Sequence, residues 1–392
     1  MASEFTRAIK DYKTTLSRLR ERSEMLKSGG IADYTSAEYK DSAKRAVELI
    51  HPKKMKLELK KVIRETASTK TLRFERIDGA LPPFRAGQYV NLFVRMPENL
   101  TSRPYSISSA PGAPHLDLTV RENKEGYVSP YLVGKAAPGD VFDSTGPAGF
   151  FCFEPLFDRG DLVFLAGGSG ITPFMGMIRN FAEKGWPRKV HLIYGSRDPE
   201  DVIFGDEISA ITGQFSQLKY TQVMSEPPSS YMGRTGFITA PLLEELLETV
   251  AGKTFLICGP IPMHKAMNEV LKTLNVPRHK IRRESFGAPP QVSTMPGWKK
   301  SVDPKTVFNV EVEGKGTLPA KADEPLLVSL EKAGMVVPTV CRTGQCSYCR
   351  TKLVSGKVYT LPDAAVRESD KALGFIHPCA TYPQEDLKIR LP

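Results

Sequence analysis

Cysteine placement constrains this chain more than any other feature. Of six cysteines in 392 residues, three fall at Cys341, Cys346 and Cys349, and a fourth follows at Cys379. This is the C-x4-C-x2-C spacing with a distant fourth thiolate that grips a plant-type [2Fe–2S] cluster. The segment from Cys341 to Cys349 must close into a tight loop, and Gly344 lets it turn without a Cβ clash. Zinc is the competing reading, but zinc cysteines usually come as two separated close pairs. A disulfide framework needs denser cysteines and a secretory leader, and the first residues do not read as one. Cys152 and Cys258 sit beside bulky apolar residues and read as buried small hydrophobes.

The chain is long enough for two to three domains, and 41% hydrophobic with 25% charged residues is ordinary soluble composition. No run approaches the ~20 apolar residues of a membrane span. The net charge of +10 suggests nucleic acid or an anionic surface. Fifteen basic and nine acidic side chains lie in residues 1–61, however, so +6 of the excess belongs to one segment and nucleic acid is not the expected partner.

That segment reads as two helices joined by Ser28-Gly29-Gly30. Phe5, Ile9, Tyr12, Leu16, Leu19 and Leu26 form a narrow apolar seam broken at Ser23. The second helix opens with a Thr35-x-x-Glu38 capping box and stops before Pro52. The hairpin either docks on its own chain, the favoured reading, or grips a partner or a second copy. From Lys56 short β-rich runs follow, Met55–Glu65, Thr71–Phe74, Gln88–Val94 and His115–Arg121, which predict a sandwich or barrel. From Asp161 buried strands such as Leu162–Leu165 and Val190–Tyr194 alternate with helical stretches, predicting a parallel α/β sheet. Gly287 to about Pro304 reads as a linker. The last segment opens with a hairpin, Phe308–Val312 and Gly316–Ala320, and a helix near Leu326–Ala333.

The strand Leu162–Leu165 runs into Gly167-Gly168-Ser169-Gly170-Ile171-Thr172-Pro173, where three glycines admit a phosphate close to the backbone. Thr172 is expected as N-cap and Pro173 as first helical residue, so that free N–H groups face a pyrophosphate. Glycine-rich turns also serve close helix–strand packing alone.

In order along the chain stand Phe84-Arg85-Ala86-Gly87-Gln88-Tyr89-Val90, Arg103-Pro104-Tyr105-Ser106-Ile107-Ser108-Ser109, Gly126-Tyr127-Val128-Ser129, the glycine turn, Cys258-Gly259-Pro260 and Glu284-Ser285-Phe286. Together they resemble the ferredoxin–NADP reductase superfamily over roughly residues 55–392. With the cysteine-bearing end, the order resembles the reductases of phthalate dioxygenase, phenylacetyl-CoA epoxidase and the hybrid-cluster protein. The resemblance implies an antiparallel flavin-binding β-barrel (53–155), a doubly wound parallel NAD(P)-binding domain (156–288) and a β-grasp [2Fe–2S] ferredoxin domain (305–392); with the helical N-terminal extension (1–52) and the linker (289–304) read from the residues, the chain is expected to be multidomain α+β and α/β.

The resemblance also implies roles. Arg103 pairs with flavin phosphate, Tyr105 lays its ring against the isoalloxazine, Ser106 hydrogen-bonds near its reacting nitrogen, and Pro104 counts among the flavin-binding residues. Gly126, Val128 and Ser129 start a short helix against the flavin phosphates. Gly168, Gly170 and Thr172 hold the nicotinamide nucleotide. Cys258 lines the nicotinamide pocket, which Gly259 and Pro260 shape, while Glu284 lies near the flavin nitrogen and Phe286 covers the ring. Ser106, Cys258 and Glu284 are thus the implied catalytic set, and Cys341, Cys346, Cys349 and Cys379 the cluster ligands. Hydride passes from the nicotinamide to the flavin, and single electrons pass on to the cluster and to a redox protein or oxygenase. FAD is expected, with FMN the alternative. Arg197, with Arg234 later, favours NADPH, since an arginine there receives a 2′-phosphate whereas an acid prefers a free ribose hydroxyl. His377 is a polar neighbour, because a Rieske site needs two histidines. Ser347 departs from the family's second loop glycine. A reading from another class, a degenerate reductase that only docks through its basic helices, predicts a colourless protein. Thiolates that must stay reduced place the expected home in the cytoplasm.

Overall fold

The computed structural model describes residues 52, 54–154, 158, 160–285 and 291–392, with residues 12–21, 23–24, 44–45 and 47–48 of the N-terminal segment. Residues 12–21 are helical, and Tyr12, Leu16 and Leu19 of the seam stay 39–43% exposed. The Ser28–Gly30 turn, the Thr35–Glu38 capping box and Phe286 lie outside the described residues.

Six strands form the first sheet: β1 (Met55–Arg64), β2 (Thr69–Arg76), β3 (Tyr89–Arg95), β4 (Leu100–Ser106), β5 (Leu116–Arg121) and β6 (Val141–Ser144), in the order β4-β3-β6-β1-β2-β5. All neighbours are antiparallel, and a bridge from Ile107 to Leu118 brings the two edges together. Alternation decides the faces: Met55, Leu57 and Leu59 of β1 and Leu72 and Phe74 of β2 are buried. β4 is hidden in the sequence because Pro104 and its polar neighbours mask the period. It sits at the sheet edge, where a proline costs no ladder bond.

The second sheet is parallel throughout, ordered β10-β9-β8-β7-β11-β12 from β7 (Leu162–Gly167), β8 (Val190–Ser196), β9 (Leu218–Met224), β10 (Arg234–Thr235), β11 (Thr254–Cys258) and β12 (Ile281–Glu284). Every residue of β7 is buried. Leu162 and Phe164 join one core, with Phe174 and Ile178 of the helix Ile171–Lys184; Val163 and Leu165 join another, with Leu243, Met267 and Leu271. Burial on both faces explains the continuous apolar run. The helix lies flush on the first domain: a Cβ on Gly176 would meet the Ile107 carbonyl at 2.7 Å.

The third sheet is mixed, ordered β14-β13-β19-β15-β17 from β13 (Val307–Val312), β14 (Gly316–Lys321), β15 (Thr351–Ser355), β17 (Phe375–Ile376) and β19 (Leu387–Arg390), beside the pair β16 (Val358–Thr360) and β18 (Thr381–Pro383). Leu326, Leu327 and Leu330 anchor the helix Leu326–Lys332 to it. The segment expected as a linker is packed over its described part. Val292, Met295, Trp298 and Val302 are buried against Ala322, Tyr359 and Tyr382, so residues 291–304 form a packed strap. Apolar residues without period carry no signal in sequence; their partners lie far along the chain. Among the described residues, no helix is long and apolar enough to cross a membrane.

Candidate redox site

The Cys341–Cys349 loop is built on left-handed backbone at Arg342, Gly344 and Ser347 (φ 56°, 77° and 59°). At Gly344 a Cβ would lie 2.8 Å from the Cβ atoms of Ala364 and Ala380, so only glycine fits. His377, fully buried, donates from Nδ1 to the Gly344 carbonyl at 2.9 Å and pins the loop to the short turn Pro378–Ala380 that carries Cys379. Its role as loop clasp, rather than bystander, needs the tertiary structure. The four thiols form a chain of contacts, Cys346 to Cys341 to Cys379 to Cys349, the last 3.4 Å between sulfurs. All six cysteines are free. Among the described residues no trio of His, Cys, Asp and Glu is arranged around a single metal ion; four thiols strung over one loop and one later turn suit a two-iron cluster.

Cys341, Cys346, Thr343 and Gln345 form one wall of a cavity of about 1090 Å³. Its other walls hold Tyr89, Gly149 and Phe150 from the first domain and His264, Arg283 and Glu284 from the second. All three domains therefore meet there. Glu284 is the Cα partner of Cys258 across β11 and β12, and its carboxyl is hydrogen-bonded by Ser106. The structure thus brings the expected trio Ser106, Cys258 and Glu284 together. Burial raises the Glu284 carboxyl to about 8 despite Ser106, and its Oε2 is buried without a partner. Such an orphan fits the polar edge of a flavin ring, to which a protonated carboxyl can donate. Burial, then the charge of Glu284, pushes the Cys258 thiol well above its usual range, so it is a neutral packing group and not a nucleophile. Burial first, then the charges of Cys341, Cys346 and Glu284, raises Tyr89 to about 12.

A second cavity, of about 520 Å³, opens at the carboxyl ends of β7, β8 and β11. Gly168, Arg197 and Pro260 line it, whereas Gly170, Thr172, Cys258 and Gly259 are not among its lining residues. A Cβ on Gly170 would stand 2.1 Å from the Cys258 carbonyl, so this glycine serves strand–turn packing rather than phosphate approach. Thr172 is not the N-cap: the helix begins at Ile171 after Gly170, and Thr172 Oγ1 donates to Ser169 O at 2.7 Å. The short turn Gly168–Gly170 feeds straight into the helix and displaces the expected start. Missed in the sequence were Arg121 and Asp201, which line the same cavity. Arg121 donates to both Asp201 oxygens at 2.6 and 2.8 Å, and Arg197 stands 3.8 Å away, 58% exposed. Arg234 is instead held by Glu245. The Arg197-x-x-x-Asp201 spacing was the available signal. The cavity's cations and its glycine turn fit the phosphates of a nicotinamide nucleotide.

Pro104 and Tyr105 extend along β4 with Arg103, whose guanidinium reaches Thr101 and Glu331 rather than the Gly126–Ser129 turn. Val128 caps the helix Ser129–Gly134 without a side-chain bond, and Ser129 Oγ accepts from the Asn123 N–H at 2.9 Å.

Three family models match in succession: an oxidoreductase FAD-binding domain over residues 54–153, an oxidoreductase NAD-binding domain over 164–269, and a 2Fe-2S iron-sulfur cluster binding domain over 310–384. NADH oxidoreductase HCR of Escherichia coli is 33% identical over 311 residues, 78% of this chain and 88% of that one. The glycine betaine monooxygenase reductase subunit of Chromohalobacter salexigens is 27% identical over 343 residues, 84% and 93% of the two chains. Among solved structures, phthalate dioxygenase reductase shares the fold over 86% of this chain and 97% of its own, with a TM-score of 0.64 at 22% identity. With FAD, NAD(P)H and [2Fe–2S] sites in that order, the chain belongs to the ferredoxin–NADP reductase superfamily, as an NAD(P)H-dependent iron–sulfur flavoprotein reductase of the phthalate dioxygenase reductase type.

Proposed function

We propose that this reductase hands single electrons from its cluster to an oxygenase component or a comparable redox protein, and that the residues around the two cavities do the positioning. The cavity shared by Cys341, Cys346, Tyr89 and Glu284 carries the reading, because it sets the thiolate loop against the expected flavin groups. When bound, the flavin takes an electron pair as hydride and the cluster takes one electron at a time. Glu284, protonated below about pH 8, donates at the polar edge of the ring site, and Ser106 orients it. Pro104 and Tyr105 pack beside the ring site, Phe286 is assigned to cover it, and Gly126, Val128 and Ser129 approach its phosphate end. Cys258, Gly259 and Pro260 close the back of the nicotinamide site, while Gly168, Gly170 and Thr172 set its turn. The four cysteines hold the irons. Relatives named as reductase subunits of glycine betaine monooxygenase support an oxygenase as acceptor.

The holoprotein tests this. NAD(P)H should bleach a yellow chromophore, dithionite should give a rhombic iron–sulfur resonance, and Cys349→Ser should abolish cytochrome c reduction while sparing ferricyanide reduction. Equal loss of both activities would contradict the order flavin then cluster.

Arg197 is assigned to a 2′-phosphate, since Arg121 already satisfies Asp201. Arg197→Ala should lose about tenfold in kcat/KM with NADPH and little with NADH, in line with a charge-assisted contact of ~1.5 kcal/mol; equal losses remove the assignment. The half-exposed Tyr12, Leu16 and Leu19 seam is assigned to partner docking or self-association. Unchanged mass and coupled turnover after deletion of residues 1–52 would end that assignment. A reducing compartment, the cytoplasm, suits the four thiolates; fractionation checks it.

A further inference from the structure

The ferredoxin domain meets the first domain through one buried carboxylate. Glu331, on the helix Leu326–Lys332, is 3% exposed. Its Oε1 accepts from Thr101 Oγ1 at 2.6 Å and from Arg342 Nη2. Its Oε2 accepts from Arg342 Nη1 at 3.2 Å and from Arg103 Nη1 at 3.4 Å. Thr101 Oγ1 accepts in turn from Arg103 Nη1 at 2.8 Å and Arg342 Nη2 at 2.9 Å. Asn99 Nδ2 donates to the Glu331 carbonyl. Four of these bonds cross from β4, or the turn before it, to the ferredoxin domain: Asn99 to the Glu331 carbonyl, Thr101 and Arg103 to the Glu331 carboxylate, and Arg342 to Thr101.

Arg342 directly follows the cluster ligand Cys341, and its φ of 56° is unfavourable for a residue with a Cβ. The contacts that retain it are those to Glu331, Thr101 and Thr339. Burial opposes ionisation of Glu331, but the Arg342 and Arg103 guanidiniums and Thr101 hold its carboxyl below the usual range. The group is an anion at neutral pH, and a buried anion with this set of donors tolerates little displacement.

We propose that Glu331 is a positioning residue for electron transfer between flavin and cluster: it clamps Arg342 and Arg103 together and so fixes the Cys341 end of the cluster loop against the flavin domain. This rests on the flavin-to-cluster order above. In each transfer one electron leaves the flavin and one enters the cluster, and no bond forms or breaks at Glu331. Transfer rates fall steeply with displacement, as for any reaction that depends on orientation of its reacting centres.

The full-length holoprotein carries the test, in Glu331→Gln and in Thr101→Val, which keeps the charges and removes one hydroxyl. Reduction of ferricyanide is compared with reduction of cytochrome c, the acceptor whose dependence on the cluster Cys349→Ser establishes. Glu331→Gln should lower the cytochrome c rate about tenfold, leave ferricyanide reduction within about twofold, and retain the cluster resonance of the parent. Thr101→Val should move the ratio of the two rates the same way by about threefold. Should Glu331→Gln fail to retain its cluster, Thr101→Val decides alone. A ratio equal to that of the parent, whether both rates fall or neither does, overturns the proposal. Absence of flavin bleaching in the parent itself would sink the electron-transfer reading and this one with it, whereas an unchanged ratio in a parent that bleaches overturns this one alone.

Discussion

Ser347 occupies left-handed backbone (φ 59°) in the cluster loop, where a Cβ is strained and glycine is not. Ser347→Gly should therefore raise the stability of the holoprotein by about 0.5–1 kcal/mol, read as a higher midpoint for loss of the cluster's visible absorbance. Glu284 makes the opposite kind of demand. Its carboxyl ionises near 8 in the folded chain against an ordinary 4.5, so the folded state keeps a proton that the unfolded state has lost in between. Stability from this group is complete below about pH 4.5 and is lost as pH rises through about 8. Glu284→Gln should match the parent near pH 4.5 and exceed it by roughly 2–3 kcal/mol at pH 8.5 in urea unfolding of flavin-free protein, after allowing for partial solvent access. The four cysteines carry their expectation in spacing alone, since thiolate geometry leaves few alternatives. Glu331, Asp201 and His377 do not, because a carboxylate or an imidazole acquires its role from partners 30 to 230 positions away.

Strands whose burial follows a simple period were legible: β1, β7 and β8 begin within a residue or two of the expected runs. β4 was seen only as a motif, because an edge strand with Pro104 has no alternation to read. The glycine turn was found, yet its helix starts at Ile171 and not at Pro173, and Gly170 is there for the Cys258 carbonyl. The 291–304 strap shows the same limit. Trp298 stacks edge-on to Tyr359 at 5.4 Å, and Tyr359 Oη donates to the Pro296 carbonyl at 3.0 Å. Trp298→Ala should cost about 3 kcal/mol or more by opening this cluster, and limited proteolysis should then cut the strap in preference to other segments.

Three sheets converge on one cavity, and that convergence depends on contacts between domains. Gly176 lets the helix after the glycine turn lie on Ile107, Arg179 donates to the Ser108 carbonyl, and Lys265 reaches Met295 of the strap. Each contact draws the Arg103–Ser109 stretch, the nucleotide turn and the cluster loop toward a common centre. The order of the three modules and the places of most strands were readable before any fold was known, as was the spacing on which the cluster-ligand assignment rests, because spacing and period are local properties that survive without partners. Which charges face each other emerges from the folded chain: Arg121 hydrogen-bonds both Asp201 oxygens while Arg197 stays 3.8 Å off, Arg103 answers to Glu331, and Glu284 keeps a buried, unpartnered oxygen. Burial and charge pairing are sums over neighbours brought in from distant parts of the chain, and one-dimensional order does not contain that sum.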